Sequence, residues 1–153
     1  MKTLFTICML MVMGLIANYL AAFILNIAGI PGALLAGIPG QRSKLQFRIG
    51  VIMSAIGQSY FYLAYTAFVV NWTRLAVSIQ GASWFVWIAA FLAVVMPLML
   101  NLSHAMTEAR ESKIVGAPVE GLNLTVWFAV IGFFVFVFFP NIAKQFYGWI
   151  PCI

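Results

Sequence analysis

The sequence predicts an all-α integral membrane protein: one bundle of four transmembrane helices, with a Gly/Pro-rich interfacial elbow after the first. Three observations carry this prediction. Hydrophobic residues make up 65% of the 153-residue chain and charged residues only 7%, where an ordinary soluble domain has about 25% charged. The charges are placed so that four stretches carry none: Thr3 to Gln41, Ile49 to Thr73, Leu75 to Ser103 and Gly121 to Ala143. Each is long enough for the roughly 20 residues a helix needs to cross the hydrocarbon. The apolar runs, such as Ile88 to Met96 and Phe133 to Phe139, are continuous rather than alternating, so they read as helices and not as barrel strands. The same composition excludes a disordered chain. The eight Lys and Arg are dispersed and form no basic stripe, which excludes nucleic acid as a partner.

The expected helices run over about 3–28, 47–71, 83–112 and 122–146, within a single domain 1–153. The first begins like a signal peptide, with Lys2 ahead of an apolar run, but that run outlasts the about 7–15 residues of a secretory core. It is read as a retained span. The first helix should end near Ala28, because Gly-Ile-Pro-Gly occurs twice in 29–40 and both residue types disfavour helix interiors. Gly29, Pro31, Gly37 and Pro39 therefore form the expected elbow. Pro97 should kink the third helix, and Pro140 the end of the fourth.

Polar side chains in hydrocarbon are costly, so each calls for a partner. Gly14, Asn18, Ala22 and Asn26 recur every four residues on the first helix, and Gly50, Ser54, Gln58 and Tyr62 do so on the second. Two small, polar faces of this kind suit close helix packing with hydrogen bonds across it, with Gln58 expected to bond Asn18 or Asn26. A substrate path along the same seam is the functional alternative. On the third helix Asn101, His104, Glu108 and Glu111 share a face. His104, Glu108 and Glu111 are candidate ligands for a metal or pigment, or an acid–base group, although one histidine and two acids do not close such a site on their own. Salt bridges to the neighbouring basic residues are the simpler account.

All three acids, Glu108, Glu111 and Glu120, follow the third span and none lies within a span. Carboxylate proton relays across the bilayer are thus unsupported. There is neither a Cys-x-x-Cys pair nor a nucleotide-binding glycine loop. The scarcity of ionisable groups speaks against an enzyme. The first functional expectation is a non-catalytic subunit of a larger membrane complex, packing through the polar seam and the aromatic fourth helix. Other membrane subunits and lipids are the expected partners, in a homo- or hetero-oligomer, with bound lipid but no cofactor implied. A small transporter, channel or lipid-handling protein is the second expectation. A membrane enzyme acting on a lipid or quinone through His104, Glu108 and Glu111 is the third.

Sidedness follows from Lys and Arg near the spans. Arg42, Lys44, Arg48, Arg110 and Lys113 flank the first and third loops, against Lys2, Arg74 and Lys144 at the other end. This predicts both termini on the non-cytoplasmic side, in a multi-pass protein of a bacterial inner membrane. Single cysteines at positions 43 and 112 should resist an impermeant thiol reagent added to intact cells; ready labelling at both reverses the orientation.

Overall fold

The structure, a computed structural model, describes residues 1–38, 43–112 and 116–148. These form helices α1 (Lys2–Ala36), α2 (Lys44–Gln80), α3 (Val86–Ser112), α4 (Ala117–Phe138) and the short α5 (Pro140–Gly148). No strand occurs among the described residues. Three of the helices, α1, α3 and α4, are long and apolar enough to cross a membrane. Successive long helices run antiparallel. The backbone N–H of Ser83, just before α3, donates to Thr3 Oγ1 at the start of α1, and Gly32 near the end of α1 meets Gly50 near the start of α2.

The first helix is longer than its sequence suggests. It passes through Gly29 and Pro31 and ends at Gly37, whose φ of 71° lies in the left-handed region that glycine tolerates. Gly29 and Pro31 are therefore helical and not part of an elbow; Pro39 lies outside the described residues. The reason is tertiary. Pro31 removes one intrahelical bond, but the flanking small residues Ala28, Gly29, Gly32 and Ala36 are all buried, and close contact with α2 outweighs the local preference. A Cβ on Gly32 would collide with Ser54 Oγ and the Gly50 carbonyl. One on Gly50 would lie 2.5 Å from the Gly32 oxygen, and one on Gly57 2.6 Å from the Ala28 oxygen.

The second helix also outruns its expected end, reaching Gln80 before Gly81 closes it in a left-handed turn. It starts with a capping box: Ser43 Oγ accepts from the Gln46 N–H (3.1 Å), and Gln46 Oε1 accepts from the Ser43 N–H (2.9 Å). The sequence Ser-Lys-Leu-Gln carried that signal. The expected fourth helix is two pieces, since Phe139 breaks it ahead of Pro140 and α5 follows.

At about 1.5 Å per residue, the 37 residues of α2 span about 55 Å. This helix packs against all the others, and its side chains donate to each of its long neighbours. Ser54 Oγ donates to the Gly29 carbonyl of α1 (3.2 Å). Ser59 Oγ donates to Thr125 Oγ1 of α4 (3.3 Å). Tyr62 and Tyr65 hydroxyls donate to the Val94 (2.7 Å) and Ala93 (3.1 Å) carbonyls of α3. The Ala93 carbonyl is the one that Pro97, lacking an N–H, leaves without its intrahelical partner. Arg74 serves the other proline in the same way. Its Nη2 donates to the Phe136 and Val137 carbonyls (2.9 and 3.0 Å), and the Phe136 oxygen is the one Pro140 releases. A guanidinium at that position also complements the negative end of the α4 dipole.

Apolar packing fills the remaining contacts. Phe133 of α4 meets Phe91 of α3 edge-to-face at 5.3 Å, and Trp87 at 6.5 Å. The outward surface is apolar, with Phe23 and Ile27 of α1 and Trp127, Phe134 and Phe138 of α4 about half exposed or more.

Replacing Gly50 by alanine should destabilise the detergent-solubilised protein by about 1–3 kcal/mol, because backbone surrounds the added methyl. Gly116→Ala, whose methyl would meet Pro118 Cδ at an ordinary 3.5 Å, should leave the unfolding midpoint unchanged. Thermal unfolding in one detergent compares the two.

Candidate functional site

The polar residues singled out in the sequence sort into two groups. Those on α2 serve mainly as helix ties. Gln58 is 2% exposed, and it bonds neither Asn18 nor Asn26. Its Nε2 donates instead to two backbone oxygens, Leu25 of α1 and Pro118 of α4, each at 3.2 Å. The expected bond failed because α2 sits between α1 and α4, so that Gln58 reaches the nearby carbonyls of both. Ser54 and Tyr62 are likewise spent on the α1 and α3 backbones.

Asn18 finds its partner on α3. Asn101 Nδ2 donates to Asn18 Oδ1 (3.2 Å), to the Asn18 carbonyl (3.4 Å) and to the Pro97 carbonyl of its own helix (2.8 Å). The asparagine face of α1 therefore seals against α3 rather than α2. Gly14, one turn earlier, allows the approach: a Cβ there would stand 3.3 Å from Ala93 Cα.

Beyond this bridge the two helices part, and a cavity of about 110 Å³ opens at the end of the bundle that holds the first and third loops. Asn26 borders it from α1, Gln58 from α2, Asn101, His104 and Glu108 from α3, and Pro118, Val119 and Leu122 from α4. Its polarity is graded by depth. Gln58 is buried, whereas the His104 and Glu108 side chains are 78% and 68% exposed and pair with each other, Nε2 to Oε1 at 3.3 Å. Glu111 is exposed on the next turn. Among the described residues no three His, Cys, Asp or Glu side chains gather where they could hold a metal ion, so the His104, Glu108 and Glu111 set is represented by a pair.

The carboxamides give the cavity a definite chemical sense. Both hydrogens of Gln58 Nε2 are directed to carbonyls, and its Oε1 is buried with no hydrogen-bond partner. Asn101 has likewise committed its NH₂ group to acceptors. What remains on both residues is oxygen, joined by the Glu108 carboxylate; Asn26 and His104 also border the cavity, and no Lys or Arg lines it among the described residues.

On the other side of the Asn18–Asn101 bridge the same α1–α3 seam continues as an apolar trough of about 340 Å³. It is lined by Met11, Gly14, Leu15 and Asn18 of α1 and by Ala89, Leu92, Ala93, Met96, Pro97 and Leu100 of α3. A second apolar groove, about 270 Å³, lies between α1 and α2 beside Phe61, Tyr62 and Tyr65.

Fold and site together define an all-helical chain with the length and apolarity of a multi-pass membrane protein, and with a polar cavity and an apolar trough in series on one helix seam. No protein-family model matches the chain, and neither does any curated protein or solved structure.

Sequence reasoning missed the role of Asn101 as the α1–α3 bridge and the part played by Tyr65 and Arg74. The signal for the latter two was present: a proline inside a helix releases the carbonyl four residues earlier, and a donor must come from elsewhere. Asn18→Leu and Asn101→Leu, alone and combined, should show a coupling of about 0.6 kcal/mol, read from unfolding in detergent. Strictly additive effects would remove the bridge as a stabilising contact.

Proposed function

We propose that this chain is a four-span integral membrane protein that works by binding lipid along the α1–α3 seam, with no reaction centre of its own. The fourth span in this reading is α2. Its lower hydropathy comes from Ser54, Gln58, Ser59, Tyr62, Tyr65 and Thr66, which are turned inward against neighbouring helices. The observation that carries the lipid reading is the order of the two cavities on one seam. An apolar trough lies beside residues 89–100 of α3, within its uncharged part, and a polar pocket follows at residues 101–108, where the charges begin. A lipid needs that sequence of environments, acyl chain first and headgroup at the interface. With the orientation set by the basic residues, the pocket faces the cytoplasmic leaflet.

The interior supports binding over catalysis. Its hydroxyls and amides are mostly consumed in holding helices together, and the one acid–imidazole pair is open to solvent. A second reading, a subunit of a larger membrane assembly, draws on the outward aromatic face of α4, where Trp127, Phe128, Ile131, Phe134 and Phe138 are all exposed.

Native mass spectrometry of the protein released from lipid nanodiscs tests the proposal. Retained lipid at one per chain is expected. Ala89→Trp, which fills the trough, should lower retention roughly fivefold, equivalent to about 1 kcal/mol. Unaltered retention in that variant overturns the assignment of the trough. A stoichiometric partner chain lost on Phe134→Ala and Phe138→Ala substitution favours the assembly reading.

A further inference from the structure

We propose that the polar pocket at the α3–α4 end of the seam recognises a primary ammonium group, carried by the headgroup of an aminophospholipid. This rests on the lipid reading of the seam and adds the identity of the headgroup. Gln58 and Asn101 each present only oxygen, since their NH₂ groups are bonded to Leu25, Pro118, Asn18 and Pro97. Gln58 Oε1 is a buried acceptor without a donor, a costly state that a ligand N–H relieves. Glu108 adds a carboxylate, paired with His104 Nε2 at 3.3 Å, and no other acid and no Lys or Arg lines the pocket among the described residues.

Each alternative ligand meets an obstacle. An anionic headgroup would face three sets of acceptor oxygens, with the Asn26 amide free to donate, the His104 imidazole already paired with Glu108, and no Lys or Arg among the described lining residues. A divalent cation asks for several charged oxygens, and no three candidate metal-binding side chains cluster among the described residues. A quaternary ammonium offers no N–H to the amide oxygens and is held by aromatic faces, yet no Phe, Tyr or Trp lines this pocket among the described residues. A primary ammonium has three donors and one positive charge, which matches two amide oxygens and a carboxylate. The apolar wall of Leu25, Val119 and Leu122 accommodates its methylene carbons.

The shared chemistry could be supplied by a lipid or by a free amine, and the test separates them. Nanodiscs of phosphatidylcholine are doped with equal amounts of phosphatidylethanolamine and phosphatidylglycerol, and the lipid retained on the released protein is identified by native mass spectrometry. Preferential retention of phosphatidylethanolamine, about tenfold over the other two, is expected, as one charge-assisted hydrogen bond supplies that factor. Glu108→Gln, an exposed position, should abolish most of the preference while leaving the thermal midpoint unchanged. Lipid retained without headgroup preference, or a preference indifferent to Glu108→Gln, overturns the ammonium assignment while the lipid reading stands. Free ethanolamine that binds the lipid-depleted protein in a Glu108-dependent way, with no lipid retained, upholds the ammonium site and overturns the lipid reading. Neither lipid nor ethanolamine bound overturns both.

Discussion

The bundle depends on one requirement: a backbone carbonyl in a hydrocarbon environment must find its donor within the protein. Helix α2 meets that requirement for its neighbours. Along its length Ser54 and Gln58 donate to α1, Gln58 and Arg74 to α4, and Tyr62 and Tyr65 to α3. Two of these donors fill vacancies made by prolines, Tyr65 for Pro97 and Arg74 for Pro140. The prolines can remain in or beside long helices because α2 supplies what they remove. A donor-bearing central helix is necessarily less apolar than its neighbours, which is why α2 falls outside the three helices whose apolarity alone marks them as membrane-crossing.

Small residues set where the helices touch and where they separate. On α1, Gly14 admits α3 closely, whereas Ala28, Gly29 and Gly32 bring the later part of the helix against Gly57, Pro118, Gly50 and Ser54. Contact along α1 thus shifts from α3 towards α2 and α4. The Asn18–Asn101 bridge sits at the changeover, and the polar cavity occupies the space that opens beyond it. The cavity is therefore a consequence of helix direction fixed by glycine positions, not of a loop wrapped around a ligand.

The helix ties and the chemistry of the site are also linked. Gln58 and Asn101 turn acceptor-only because their NH₂ groups hold the bundle together. Tightening the fold and polarising the pocket are then two effects of the same hydrogen bonds. A substitution that removed those bonds would change the pocket's preference as well as the stability, whereas a change at Glu108, exposed and outside the helix ties, alters only the charge and its solvent-exposed pair with His104.

The sequence by itself determined the class of structure. The 7% charge and the four uncharged stretches leave a helical membrane protein, since no soluble core or polar ladder can be built from them. It also marked Asn18, Asn26, Ser54, Gln58, Tyr62, His104 and Glu108 as residues that need partners, because a polar group in an apolar run is costly wherever the helices lie. Only the tertiary structure decided who the partners are. Periodicity places Asn18 and Gln58 on faces of their own helices, but it carries no information on how each helix is rotated and crossed relative to the others. Asn18 accordingly went to Asn101 rather than Gln58. The same limit explains Pro31 and the glycines around it. Local propensity ends a helix there, but the close backbone contact of Gly32 with Gly50 and Ser54 exists only once α1 and α2 are packed, and its gain outweighs the one hydrogen bond that proline forgoes.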